Sequence, residues 1–371
     1  LKVEFFKHNL DIEEKESVCS ALDSEFLTTG SLVTQFEQEF ANYLSVDYCV
    51  GLSHCTGALH LALLAAGIKE GDEVITTPLT FVATSLILVH IGAKPVWVDV
   101  ERDTGNLDAN LIEAAITPKT KAILPVHLYG QMCDMRAIRK IADNYNLIVI
   151  EDAAHALEAS RDGIRVGELS DASCFSFYAT KSLTCGEGGS LISNRSDIID
   201  KVRLLHTHGI DKEVSLRYAH KISHWDLVEL GWKYNMSNIQ AALLLPQMSK
   251  IEKHWRRRKE IDIEYHKHFS TIMPKIYPNS QSGYHLSTIW VDPNKREKIM
   301  ENLRSFGIGF TINYEPLHLL RKFRDLFQQK EEAFPETERI GASTISLPLY
   351  PKLSDTEVNY VVDSVKKALE K

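Results

Sequence analysis

Several things are missing from this 371-residue chain, and each absence removes a class of protein. No window approaches the roughly 20 consecutive apolar residues that a membrane-spanning helix needs, so no membrane association is expected. No basic segment leads into an apolar stretch near residue 1, and no secretion signal is expected there. The 6 cysteines, Cys19, Cys49, Cys55, Cys133, Cys174 and Cys185, form no C-x-x-C pair. They read as reduced core or loop thiols of a cytoplasmic protein. No early strand-to-helix turn carries G-x-G-x-x-G, which counts against a dinucleotide-binding oxidoreductase. Positive charge is also in short supply, with 42 Lys and Arg against 50 Asp and Glu and a net charge of -8. That balance argues against a general nucleic-acid surface and leaves a local phosphate site open. The run Arg256-Arg257-Arg258 reads as a solvated helix face.

What is present is ordinary for a globular protein: 44% hydrophobic and 25% charged residues. The length suffices for one large core and a smaller one. Helical spacing marks 11–24 and 31–45, on either side of the turn-like Thr28-Thr29-Gly30. From residue 46 short apolar runs alternate with helical stretches, the pattern of a mostly parallel sheet with helices on both faces. Strands are expected at 73–77, 95–100, 121–127, 147–151, 173–178 and 189–193. Helices are expected near 57–67, 79–91, 108–116, 134–144 and 196–206. Ser237 to Gln240 has capping-box spacing and opens a helical pattern to about 268, which Pro246 should bend or divide. Strands at 287–292 and 309–314 flanking a helix at 296–306, then a helix capped at Ser354 and running to about 370, suggest a small C-terminal α/β domain. The expected division is 1–249, a large domain with an N-terminal arm, and 250–371.

Chemistry concentrates in four places. Lys181 follows the apolar run Cys174–Tyr178 and precedes Gly186, Gly188 and Gly189, which permit a tight, closely approached backbone. An amine fixed there could condense with an aldehyde cofactor; a solvated surface lysine would fit the same stretch. Asp152 ends the buried strand pattern Leu147–Glu151, at the edge where ligands of open α/β sheets bind. It would hold the protonated nitrogen of a pyridine ring, or simply cap a helix. His155 would hydrogen-bond a ring hydroxyl or substrate, or be satisfied locally. Thr56 and Gly57 open a helix after a strand and can offer a hydroxyl and amides to an anion, with a plain N-cap as the alternative. Phe81 could lie on a planar cofactor or belong to the core. An amine, an acid, a flat apolar contact and a donor cluster are the four things pyridoxal phosphate requires.

These residues sit in longer motifs: Cys55-Thr56-Gly57-Ala58-Leu59-His60, Thr77-Pro78 with Thr80-Phe81, Glu151-Asp152-Ala153-Ala154-His155 and Phe175-Ser176-Phe177-Tyr178-Ala179-Thr180-Lys181. Gly231-Trp232-Lys233-Tyr234-Asn235-Met236-Ser237 and Leu347-Pro348-Leu349-Tyr350-Pro351 follow later. With them the chain resembles, over nearly its whole length, the DegT/DnrJ/EryC1/StrS sugar aminotransferases of the aspartate-aminotransferase fold.

The resemblance implies pyridoxal 5'-phosphate as cofactor, bonded to Lys181, with Asp152 on its ring nitrogen and Phe81 on its face. Thr56, Gly57 and Ser176 would hold its phosphate, and His155 would make a contact of less definite kind. Asn235 would reach the phosphate in a neighbouring subunit, making the protein a homodimer with shared active sites. Lysine at 181, where dehydrating relatives carry histidine, favours transamination. The implied reaction moves an amino group from L-glutamate to a keto group of a nucleotide-linked deoxysugar, in amino-sugar synthesis for surface glycans such as lipopolysaccharide. C4 of a UDP-4-keto-6-deoxy-N-acetylhexosamine is the favoured acceptor, and C3 of a dTDP-3-keto-6-deoxyhexose the alternative. Tyr314, His318 and Arg203 are candidate substrate contacts. A non-catalytic binding or regulatory protein of the same fold is the competing reading from another class.

Overall fold

Seven short apolar runs assemble into the central sheet of the computed structural model, which describes residues 1–211, 225–328 and 332–370. In chain order the strands are β1 (Tyr48–Leu52), β2 (Glu73–Thr76), β3 (Lys94–Trp97), β4 (Thr120–Ile123), β5 (Ile148–Asp152), β6 (Ala172–Ser176) and β7 (Gly189–Ser193). They lie side by side as β1-β7-β6-β5-β4-β2-β3. Pairs from β3 to β6 are parallel, while β7 runs antiparallel to both β6 and β1. Strands covered on both faces must be apolar on both sides, and Val149 and Ile150 of β5 are fully buried on opposite faces. β4 stops short of the expected residue 127 because Pro125 has no N–H to give a ladder.

The helices before and between the strands are α1 (Ile12–Leu22), α2 (Ser31–Leu44), α3 (Cys55–Ala65), α4 (Ala83–His90), α5 (Met135–Tyr145) and α6 (Ser196–Leu205). On α2 the buried residues Val33, Phe36, Phe40 and Leu44 recur at helical spacing, and both phenylalanines meet Phe177 edge-on beyond the end of β6. Residues 108–116 do not make the expected α-helix. They form two short 3₁₀ turns that bury only Ala109 and Ile112, too narrow an apolar face to hold a longer helix against the sheet.

The long helical pattern after Ser237 is two helices, α7 (Asn238–Met248) and α8 (Ile251–Phe269). The expected capping box is present, with Ser237 Oγ accepting from Gln240 N–H and Gln240 Oε1 accepting from Ser237 N–H. Pro246 lies inside α7, and the chain breaks after it. A second core gathers Val3 of the N-terminal arm with Trp255, Tyr265, Leu303, Ile345 and Val361. It is built from α8, α9 (Pro293–Ser305), the final helix Asp355–Glu370 and a two-stranded sheet. That sheet pairs β8 (Ser287–Trp290) antiparallel with β9 (Thr344–Leu347).

The strand expected at 309–314 is not formed, and only an isolated bridge joins Thr311 to Ser346. Side chains have taken the backbone a ladder would need: the carbonyl of Asn313 accepts from Tyr129 Oη at 2.6 Å and Thr344 Oγ1 at 3.3 Å. The segment is thereby turned toward the end of β5.

Candidate active site

β5 ends in Asp152, β6 delivers the turn holding Lys181, and α3 begins just after β1, so three chemistry-bearing segments meet at one edge of the sheet. They line a cavity of about 540 Å³ together with Phe81, Tyr178, His285 and Tyr314. The approach of α3 to the start of β7 is close enough to demand glycine. A Cβ on Gly189 would lie 2.4 Å from the backbone nitrogen of Cys55, and one on Gly188 2.3 Å from Cys185 Sγ. Gly186 holds φ +84°, where a side chain is strained. The expectation of a tight backbone beyond Lys181 therefore has a definite cause: it brings the turn against the first amides of α3.

Asp152 is buried, and its carboxylate is gripped from one side. Oδ2 accepts from Thr84 Oγ1 at 2.8 Å, and Oδ1 from Ala154 N–H at 3.2 Å. Because Thr84 donates to Asp152, Thr80 Oγ1 at 3.0 Å must be the donor to Thr84. Burial pushes the Asp152 carboxyl above its ordinary value, opposed by those two bonds and by the charges of Lys181 and His127. A buried carboxylate so placed gains from a cation in the cavity.

Lys181 is half-buried, and burial lowers its amine from 10.5 to about 8, against the smaller opposing influence of Cys55 and Asp152. Its Nζ lies 3.2 Å from Nε2 of His285. His285 packs on His155 with ring centroids 4.3 Å apart, and His155 Nε2 lies 3.1 Å from the Tyr314 hydroxyl. Burial holds both imidazoles neutral, well below their ordinary range. His155 Nδ1 is buried with no hydrogen-bond partner. A polar atom left bare beside a cavity fits a polar ligand atom there.

Phe81 is 58% exposed, on the wall of this cavity, an expensive position for an apolar ring unless something flat covers it. Thr56 and Ser176 line the same cavity. Gly57 differs from expectation in detail, because its N–H already donates to His54 Nδ1 at 2.7 Å. Thus Asp152, Lys181, His155, Phe81, Thr56, Ser176 and Tyr314 are brought together, as expected of one site.

Three candidates are not. His318 is fully buried, bonded through Nε2 to Glu338 at 2.9 Å and packed on Phe334, away from the cavity. Arg203 donates to Glu37 at 2.8 Å and to the carbonyl of Cys49 at 3.0 Å, a structural tie. Asn235 bonds Thr29 Oγ1 at 2.6 Å and does not line the cavity of its own chain. Of the basic run, Arg258 is not solvated at all: it pairs with Glu158 at 2.6 Å, both nearly inaccessible. Sequence reasoning missed His285, Thr84 and Thr80. The local hints of the threonines are the place of Thr80 in the motif beside Phe81 and its i, i+4 spacing to Thr84 around the start of α4; His285 is 104 positions from Lys181 and carries no local signal.

The residues present fit pyridoxal phosphate on their own terms: a buried acid wanting a cation, an amine that burial makes easier to deprotonate, an uncovered ring, an orphaned imidazole nitrogen and hydroxyls beside a helix N-terminus. Comparison with known proteins agrees. The profile of the DegT/DnrJ/EryC1/StrS aminotransferase family matches residues 8–366. The spore coat polysaccharide biosynthesis protein SpsC of Bacillus subtilis is 40% identical, over 95% of this chain and 94% of that protein. Among solved structures, the Streptococcus pneumoniae protein Spr1654, described as a sugar aminotransferase and seen in its PMP form, is 29% identical. It superposes with a TM-score of 0.94 over 100% of this chain and 99% of its own. Helicobacter pylori PseC, an aminotransferase involved in pseudoaminic acid biosynthesis, is 28% identical with a TM-score of 0.93 over 100% of both chains.

Proposed function

The chain belongs to the DegT/DnrJ/EryC1/StrS aminotransferase family, whose cofactor is pyridoxal 5'-phosphate, and we propose that it transfers the amino group of L-glutamate to the C4 ketone of a UDP-linked 4-keto-6-deoxy-N-acetylhexosamine. The observation that carries the transaminase reading is Lys181, an amine lowered to about 8 on the wall of a cavity that also holds a buried carboxylate. A non-catalytic binder has no use for an amine made this easy to deprotonate. The sugar reading rests on the kinship with SpsC and PseC.

Bound in the cavity, the cofactor supplies an aldehyde that carries the amino group and a ring that draws electrons from the carbon losing its proton. The chain's own residues do the rest. Asp152 Oδ1 and Oδ2, kept in place by Ala154 N–H and Thr84 Oγ1, offer a fixed negative charge to the ring nitrogen. Phe81 would cover one face of the ring, and His155 Nδ1, buried without a partner, would meet a polar ring substituent. Thr56 Oγ1, Ser176 Oγ and the first amides of α3 would hold the phosphate, which Gly57 N–H could join only by giving up its bond to His54 Nδ1. Lys181 Nζ would hold the aldehyde of the bound cofactor and, as a free amine, would take and return the proton at the reacting carbon. Tyr314, on the cavity wall beside His155, would contact the sugar.

A homodimer completes the site. Two observations support this: Asn235 is held by Thr29 outside the cavity of its own chain, and Leu27, Tyr178, Leu227 and Leu230 leave apolar side chains exposed. The free cysteines suit a cytoplasmic enzyme, and among the described residues no helix is long and apolar enough to cross a membrane. The separate cluster of Trp255, Tyr265, Leu303, Ile345 and Val361, which Val3 of the N-terminal arm joins, supports a division into two domains, 1–249 and 250–371. The test is a single turnover of purified enzyme with glutamate and a panel of nucleotide keto-sugars, the new amine located by NMR. Turnover of the UDP-linked 4-ketone is expected. Turnover confined to a dTDP-linked 3-ketone would move the reading to C3.

A further inference from the structure

The pairing of Lys181 with His285 is used by nothing above, yet the fold goes to some length to secure it. His285 sits between two backbone anchors. Its own N–H donates to the carbonyl of Tyr129 at 3.2 Å, and the carbonyls of Gly283 and Tyr284 just before it both accept from the buried guanidinium of Arg258, at 3.3 and 3.1 Å. Arg258 is in turn held by Glu158 at 2.6 Å, on the chain leaving β5, and Glu158 also accepts from Ser182 Oγ at 3.3 Å, next to Lys181. One buried ion pair thus ties together the segment bearing Asp152 and His155, the turn bearing Lys181 and the segment bearing His285. Such a clamp fixes the distance between two side chains whose sequence positions are far apart.

We infer that His285 is a positioning residue for the Lys181 amine: its neutral imidazole accepts an N–H of Lys181 at Nε2, so that the amine, whenever it is free, keeps its lone pair turned to the cavity. The geometry favours this direction. An imidazole donating to Nζ would occupy the lone pair the amine needs as a base. An imidazole accepting from it leaves that lone pair free, which requires the His285 proton to sit on Nδ1. His155, packed against His285 with ring centroids 4.3 Å apart and bonded to Tyr314, limits how far the ring can swing. A lysine has four rotatable side-chain bonds, and holding its tip saves the ordering cost at each proton transfer. The inference rests on Lys181 having the role proposed above.

An acceptor also stabilises the ammonium, so its loss should lower the midpoint of Lys181 further. The groups facing Nζ are Asp152, Cys55, His155 and His285, of which only His285 is changed in the test. Cofactor-free protein is labelled with an amine-acylating reagent across pH, and the rate at Lys181 is followed by peptide mass spectrometry. Wild type should give a midpoint near 8, His285→Leu one lower by half a unit or more, and His285→Gln, whose amide oxygen can accept, one near wild type. In loaded enzyme the glutamate half-reaction of His285→Leu should slow about tenfold or more with an enlarged α-deuterium isotope effect, His285→Gln recovering part of it. Should His285→Leu fail to fold, the His285→Gln and wild-type profiles are compared with that of Arg258→Lys, which loosens the clamp and should lower the midpoint in the same direction. A midpoint unmoved or raised in His285→Leu, or in Arg258→Lys where that variant takes its place, overturns the inference. If pyridoxal phosphate does not protect Lys181 of wild type from labelling, the assignment of Lys181 itself has failed, a distinct outcome.

Discussion

Cofactor-free enzyme mixed with pyridoxal phosphate should bond it fastest where Lys181 is neutral, and the cavity sets where that is. Burial brings the amine from 10.5 to about 8. At about pH 7.4 such an amine is roughly 20% neutral, against roughly 0.1% for an ordinary lysine, an advantage of about two hundredfold in reactive form. The rate of appearance of the protein-bound visible band, measured by stopped flow from about pH 6 to about 10.5, should therefore rise with pH and level off above a midpoint near 8. The same shift has a cost in stability, and its sign follows from proton counting. Between about 8 and 10.5 the unfolded chain holds a proton on this lysine that the folded chain has released, so stability rises with pH in that window and the full cost is present below it. The cost is about 3 kcal/mol as an upper figure. Cofactor-free Lys181→Met should accordingly resist urea better than wild type at neutral pH and lose that advantage toward pH 10.5. A bonding rate still climbing steeply at pH 10 would refute the reasoning, since it would mean the cavity does not neutralise the amine.

Other substitutions probe the supports. Thr84→Val keeps the shape and removes a donor to Asp152, so the Asp152 carboxyl should rise further and cofactor affinity fall about tenfold, read by titration of the visible band. Gly189→Ala places a methyl 2.4 Å from the Cys55 nitrogen, on backbone that cannot move aside, and should cost about 1–3 kcal/mol in urea unfolding along with phosphate binding. Arg258→Met leaves Glu158 buried without its partner and should cost about 3–5 kcal/mol, the largest loss of the set.

Legibility of this molecule from its sequence divides by range. β5 announces itself in Leu147–Asp152 because a strand buried on both faces must be apolar throughout and can turn acidic only at its end. Lys181 with its glycines, and Thr56 at a strand-to-helix junction, are readable for the same reason: local backbone demands select residue types. His285 is not readable so, since its partner lies 104 positions away and is met only through the Arg258–Glu158 pair. Arg258 misleads in the other direction. Three arginines in a row look solvated, but the helical turn carries the third one inward, beside Ile261 and Asp262. Residues 309–314 alternate like a strand, yet Tyr129 and Thr344 claim the Asn313 carbonyl, and His318, polar in a promising motif, is spent on Glu338. In each case a long-range side-chain partner, absent from any local pattern, decided the outcome.

The most direct test of the whole account is the absorption spectrum of wild type and Lys181→Ala, each given pyridoxal phosphate and then glutamate. Wild type should develop a visible band that glutamate bleaches, and Lys181→Ala should form no protein-linked band. A wild type that binds no cofactor, or a Lys181→Ala protein with the same band and the same bleaching, would contradict it.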